Sequence, residues 1–286
     1  MSQHPRYFRV LLTFLRNSLV RDMTFRANFL IDTISSTSWV FMNLGFYILI
    51  FEQTERIGTS ADWDPGWQKE QFFLFLATTL LINSLIRGLF LSNAVEFSEQ
   101  IRTGTLDFAL VKPIDTQFLI SLGRIEWSSI GPFTCGLLLM AYSLHQIHLG
   151  SGYVPGAVEV LLYVFYLGCG VAIYYSLMIA MASTSIWLGR NRTLLDFWFY
   201  ITNFSRYPME IYQRGLGFAL LYFFTYFVPV LVAVNVPARL LVRPLSPQHT
   251  EDWILPPFAV LATLGSLAAS RWVFNRSLLS YRSASS

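Results

Sequence analysis

Long apolar runs alternate with clusters of arginine along this chain, and that alternation constrains the fold more than any motif does. A helix needs about 20 mainly apolar residues to cross the roughly 30 Å hydrocarbon core of a bilayer. Apolar residues make up 54% of the 286 and charged residues only 13%, against roughly 25% charged in an ordinary soluble domain. The expected fold class is therefore an all-α polytopic membrane protein, a single membrane domain over residues 1–286.

Six runs are long enough to span: about 29 to Phe51, Phe72 to Leu91, about Trp127 to Leu144, about Ala157 to Leu188, Gly215 to Val234, and Ile254 to about Phe274. Basic residues mark the cytoplasmic side of a membrane protein. With the N-terminus inside, the inner segments hold Arg6, Arg9, Arg16, Arg21, Arg26, Arg87, Arg102, Lys112, Arg124, Arg190, Arg192, Arg206, Arg214, Arg271, Arg276 and Arg282, which is 16 of the 20 Lys and Arg residues. The other four, Arg56, Lys69, Arg239 and Arg243, fall in outer loops, the first of which is acidic. An even number of spans then puts both termini inside. Arginines interrupt the first 26 residues every few positions, so a cleavable signal peptide is not expected there.

Three segments fit no span. Residues 5–22 put Phe8, Leu11, Leu12, Leu15 and Leu19 on one helical face and Arg9, Thr13 and Arg16 on another, a pattern for an amphipathic helix lying in the inner interface or for a plain basic anchor of the first span. Residues 194–204 are apolar but too short to cross, and arginines flank them, so they are expected at the inner surface or dipping in from it. Residues 235–257 carry Pro237, Pro244, Pro247, Pro256 and Pro257 and predict an irregular outer cap or re-entrant region with at most short helices.

Motifs for chemistry are excluded one by one. The only lysines, Lys69 and Lys112, follow Gln68 and Val111, so neither belongs to the Gly-Lys-Ser/Thr of a phosphate-binding loop. The chain is not expected to hydrolyse ATP itself. Cys135 and Cys169 lie inside apolar runs, and His145 and His148 share a helical face without a carboxylate or thiol to complete a metal shell. No catalytic constellation, bound metal or nucleic-acid surface is expected. Asp32, Arg87, Glu126, Glu159 and Arg271 all lie near predicted span ends, and Asn43 and Asn83, deeper in, read as interhelical hydrogen-bonding groups or ion ligands. An ion-coupled carrier, an intramembrane enzyme and an assembly scaffold are the alternative classes. The first calls for midplane charge and the second for a buried catalytic cluster.

The segment between the second and third spans carries the most information. Ser92 or Asn93 is expected to cap a short amphipathic helix with Val95, Phe97 and Ile101 on one face and Glu96, Glu99 and Arg102 on another, and Gly104 to stop it. Such a helix below the membrane suits docking to a soluble partner, or is simply a solvated loop.

Arg102-Thr103-Gly104-Thr105-Leu106-Asp107-Phe108 and Val111-Lys112-Pro113 resemble the coupling-helix region of type 2 ATP-binding-cassette exporter permeases. The order of an elbow helix, six spans and a broken outer element is similar over the whole chain. The resemblance implies a transmembrane permease subunit of an ATP-driven exporter, with ATP and Mg on a separate ATPase subunit and no cofactor on this chain. It implies a second permease, identical or a sister, as partner, and a multi-pass location in the inner membrane of a bacterium. It places Glu96, Glu99, Arg102 and Asp107 at the ATPase contact in region 93–113, with Phe97 or Ile101 filling the ATPase groove. It also lines the substrate pathway with Phe72, Phe75, Thr79, Asn83, Phe218, Tyr222, Thr225 and Tyr226. Aromatic, weakly polar walls suit an amphiphilic or hydrophobic cargo such as a lipid, glycolipid or antibiotic-like compound, though the same aromatics also serve as lipid-facing or packing residues.

Overall fold

The computed structural model describes residues 7–58, 66–188, 192–242 and 250–281. Helix α1 (Tyr7–Thr24) meets α2 (Arg26–Gln53) at Phe25, and a two-residue hairpin, β1 (Arg56–Ile57) with β2 (Trp67–Gln68), leads into α3 (Lys69–Ile86). A π turn, Arg87–Leu91, joins α3 to α4 (Ser92–Thr103), so that Lys69–Thr103 runs as one helix of 35 residues. Short helices α5 (Asp107–Leu110) and α6 (Thr116–Leu122) follow, then α7 (Ile130–Ser151), α8 (Ala157–Ser183) and α9 (Ser185–Leu188). The last part comprises α10 (Arg192–Asn203), 3₁₀ turns at Phe204–Arg206 and Met209–Tyr212, α11 (Gly217–Tyr222), a π turn Phe223–Phe227, α12 (Val230–Val242) and α13 (Thr250–Ser280).

Among the described residues four helices are long and apolar enough to cross a bilayer: Arg26–Gln53, Lys69–Thr103, Ala157–Leu188 and Trp253–Ser280. Their backbone polar groups are satisfied within the helix, and hydroxyls follow suit: Thr78 and Thr79 donate to the carbonyls of Leu74 and Phe75, each at 3.0 Å. Helix α3 is the hub. It packs against α7, α8 and α12, burying Phe72, Phe75, Ile82 and Ile86, while α8 packs against α12 and α13.

The structure redraws the region predicted as the fifth span. Gly215 to Val234 is not one continuous helix: Gly217–Phe227 and Val230–Val242 meet at 86° across Val228 and Pro229. The proline has no N–H to donate, and no hydrogen bond carries the helix through it. Helix α12 is buried almost throughout and lies so close to α8 that a Cβ on Gly170 would strike the Ala233 carbonyl. Pro237 sits inside α12, and Pro256 and Pro257 lie in the first part of α13, so residues 235–242 and 250–257 are helical where an irregular cap was expected. Residues 243–249, with Pro244 and Pro247, lie outside the described residues.

The segment expected at the inner surface also moves. Helix α10 leaves the end of the bundle where α4 and α9 lie and runs along α8. Trp198 Nε1 donates to the Tyr174 carbonyl at 3.2 Å, and the Tyr174 and Ser205 hydroxyls bond to each other. The chain then reaches the hairpin, where a Cβ built on Gly58 would lie 3.1 Å from the Glu210 Cβ. Residues 194–204 thus lead from one end of the bundle towards the other. The two 3₁₀ turns extend that path to the hairpin.

Candidate functional site

At the end opposite the hairpin, α4, α5 and α6 form a compact projection. The expected cap at Ser92 or Asn93 is absent, because the chain enters α4 already helical through the π turn. A π turn disturbs the regular i to i−4 ladder. Here the Gly88 carbonyl accepts the Glu126 N–H at 2.8 Å. Asn93 latches the same loop, accepting from the Arg124 N–H at 2.8 Å and donating to the Arg124 carbonyl at 2.5 Å. Gly104 ends α4 as expected, in the left-handed region at φ 72°.

The side chains of this projection divide differently from the sequence expectation. Phe97 is 1% exposed and packs on Phe274 of α13, with ring centroids 5.8 Å apart, so its ring belongs to this chain's own core and is not open to a partner groove. Ile101 is half-buried against the same core. Glu96, Glu99 and Arg102 are exposed, and Arg102 Nε donates to Glu99 at 2.8 Å. Asp107 is half-buried beside Tyr281. What protrudes is Phe108, 76% exposed, and Val111, 84% exposed, with Leu110 and Lys112 alongside. Composition alone did not distinguish Phe97 from Phe108; the Gly104 turn, which starts a new helix with its own face, does.

The projection is clamped to the last helix. Arg271 of α13 donates to Asp115 at 2.6 Å and to Gln117 at 2.7 Å, while Asp115 also caps α6 by accepting the Phe118 N–H at 2.9 Å. The Arg271 hydrogen bond, opposed by partial burial and aided by the helix-cap bond, holds the Asp115 carboxyl below its usual pKa.

Along the bundle, a groove of about 160 Å³ opens between α2, α3 and α10. Thr79 and Asn83 line it, with Asn43, Tyr47, Trp198 and Arg206. The other pathway candidates do not join them. Phe72 and Phe75 are buried in an aromatic core with Tyr47, Phe51 and Trp67. Thr225 is buried, whereas Phe218, Tyr222 and Tyr226 are exposed on α11 and its π turn, Tyr222 stacking on Tyr226 at 6.0 Å and Tyr226 meeting Phe258 edge-on. Sequence reasoning did not bring Tyr47 and Arg206 to this groove, because it drew the pathway from the second and fifth spans and read residues 194–204 as lying at the inner surface, with Arg206 beside them.

The sequence profile of ABC-2 family transporter proteins matches residues 37–285. Neither a search of curated proteins nor one of solved structures finds a match. The match spans nearly all of the helical bundle, including the projection and the broken pair, and a chain with that profile and these apolar helices is a multi-pass integral membrane protein. The protein belongs to the ABC-2 transporter family and is a permease of the kind that associates with ABC ATPase subunits.

Proposed function

We propose that this chain is the membrane subunit of an ATP-driven exporter of amphiphilic or hydrophobic compounds, acting with a second permease and a separate ATPase pair that binds ATP and Mg. The exposed Phe108–Val111 knob carries the reading. Apolar side chains at 76% and 84% exposure, in a projection whose exposed charged residues include Glu96, Glu99, Arg102 and Lys112, make a small surface suited to a protein groove. Its attachment suits force transmission: one helix runs from Thr103 to Lys69 along the bundle, and Arg271 ties the knob to α13.

In this reading the chain crosses the membrane of a bacterium six times, through α2, α3, α7, α8, the α10 unit with its two 3₁₀ turns, and α13. The pair α11–α12 enters from the hairpin side and returns, with both termini on the cytoplasmic side. Helix α1 lies in the inner interface, its Phe8 and Leu12 exposed towards the acyl boundary. Moving Arg206 and Arg214 to the outer half leaves 16 − 2 = 14 basic residues inside and 4 + 2 = 6 outside, and the positive-inside rule still holds.

Co-purification from gently solubilised membranes, followed by reconstitution, tests the reading. An ATPase subunit retained with the wild-type chain and lost from Phe108→Asp/Val111→Asp is expected, with ATP-dependent transport requiring both. Recovery of no ATPase, with no ATP-dependent transport, would sink it.

A further inference from the structure

A second cleft, about 680 Å³, lies at the α1 end of the bundle, between α2 and the loop that joins α6 to α7. Its charged groups fall into two sets. Arg21 and Asp22 are paired with each other at 3.0 Å, and both also hold the loop, through the Ile125 carbonyl and the Trp127 N–H. Glu126 accepts a hydrogen bond from the Ser92 hydroxyl. Arg87, Arg124 and Asp32 also line the cleft, and among the described residues none of these three side chains has a hydrogen bond or ion pair, Arg124 meeting Asn93 through its backbone alone. Two guanidinium groups and one carboxylate, all on exposed residues, therefore border the same polar space and are not engaged by this chain.

Phe25, Phe29 and Trp39 supply an apolar wall to the same cleft. The cleft adjoins the groove between α2, α3 and α10, since Ser36, Trp39, Arg87 and Ser128 line both. Beyond Arg87 the lining is mixed, Val40, Leu76, Leu80 and Phe199 forming its apolar part beside Asn43, Thr79, Asn83 and Arg206. A strongly charged compartment beside a groove with aliphatic and aromatic walls and only scattered polar groups has the polarity of an inner-leaflet amphiphile.

We infer that this cleft binds the headgroup of a zwitterionic amphiphile, its phosphate on Arg87 and Arg124 and its primary ammonium on Asp32, with the acyl portion directed past Trp39 into the groove. Guanidinium groups bind phosphate through charge-assisted, often bidentate hydrogen bonds. The carboxylate makes a purely anionic headgroup the poorer fit and adds a site for an ammonium with protons to donate. The inference deepens the export reading by naming a headgroup class, and it rests on that reading for its place on the cytoplasmic side.

The test is native mass spectrometry of the full-length chain, purified in detergent and titrated with dioleoyl phosphatidylethanolamine, phosphatidylglycerol or phosphatidylcholine. Wild type is expected to retain phosphatidylethanolamine several-fold better than either of the others. Arg87→Gln/Arg124→Gln lowers retention of all three by about tenfold, the loss expected for one charge-assisted contact. Asp32→Asn brings phosphatidylethanolamine down to the level of phosphatidylglycerol without lowering the latter. Arg276→Gln, outside the cleft, leaves the pattern unchanged and controls for general loss of positive charge. Equal retention of the three lipids by wild type, or an unchanged pattern in the arginine pair variant, overturns the assignment. Displacement of bound lipid by an equal concentration of water-soluble phosphoethanolamine also overturns it, because the acyl portion then contributes nothing. Lipid retention requires neither an ATPase nor transport, so failure of this inference and failure of the export reading are read separately.

Discussion

Arg239 of α12 donates from Nη2 to Glu210 Oε1 at 2.6 Å, tying the returning arm of the broken pair to the turn that follows α10. The Glu210 side chain is wholly buried and that of Arg239 nearly so. The sequence reading put the stretch around Glu210 inside and Arg239 outside; the bond and the Gly58 contact put both at the hairpin end. Removing one partner of a buried pair strands the other charge away from water. Glu210→Ala should therefore cost about 3–5 kcal/mol, seen as a lower thermal midpoint in detergent. Glu210→Ala/Arg239→Met should recover part of that loss. A single variant as stable as wild type would show the pair to be dispensable.

Gly170 permits the closest approach between α8 and α12. In a bilayer there is little hydrophobic drive between helices, so close packing at small residues holds them together. Gly170→Ala directs a methyl at the Ala233 carbonyl and should cost about 1–3 kcal/mol through displacement of α12. Crosslinking between the native Cys169 and a cysteine introduced at 234, with Cys135→Ser removing the other native thiol, reports the displacement directly, and undiminished crosslinking in the variant would contradict it.

Phe97 and Phe108 should separate stability from docking. Phe97→Ala leaves a hole against Phe274 and is expected to lower stability by about 3–5 kcal/mol. Phe108→Asp, on an exposed site, should leave the thermal midpoint within about 0.5 kcal/mol of wild type while weakening ATPase association at least about tenfold, the equivalent of 1.4 kcal/mol. Equal ATPase retention by wild type and Phe108→Asp would remove Phe108 from the contact.

The Asp115–Arg271 clamp should give stability a pH dependence. The folded-state pKa of Asp115 is lowered chiefly by the Arg271 hydrogen bond. Stability from the pair is then fully present above the unfolded value of about 3.9 and is lost as pH falls through the lower folded value. Both groups are about a third or more exposed, so screening limits the gain to at most about 1 kcal/mol. Arg271→Gln should flatten the acid limb of the stability curve. An acid limb as steep in this variant as in wild type would assign the pH dependence to other carboxylates.

The membrane class, the approximate positions of α2, α3, α7, α8 and α13, the stop at Gly104 and the absence of a phosphate-binding loop were all legible in one dimension. Each depends on local composition: run length against bilayer thickness, glycine at a positive φ, a lysine that lacks its neighbours. The path of residues 194–242 was not legible. Residues 194–204 and 215–234 are both apolar, and hydropathy favours the longer run, yet the shorter one runs along α8 because Trp198 and Ser205 find Tyr174 there.

The longer run breaks at Pro229, and its second arm lies against α8 beside Gly170. The same limit applies to the sites. Alternation of charged and apolar residues marked 93–113 as a projection, but burial against Phe274 separated Phe97 from Phe108. Arg87, Arg124 and Asp32 are 92 residues apart at the extremes (124 − 32), and only the packing of α2 beside the loop before α7 lines them along one cleft. Sequence determined which segments prefer lipid and where helices stop, since those are properties of a segment and its solvent. Tertiary structure decided which apolar face meets protein and which charges share a space, because both depend on the neighbour that arrives from elsewhere in the chain.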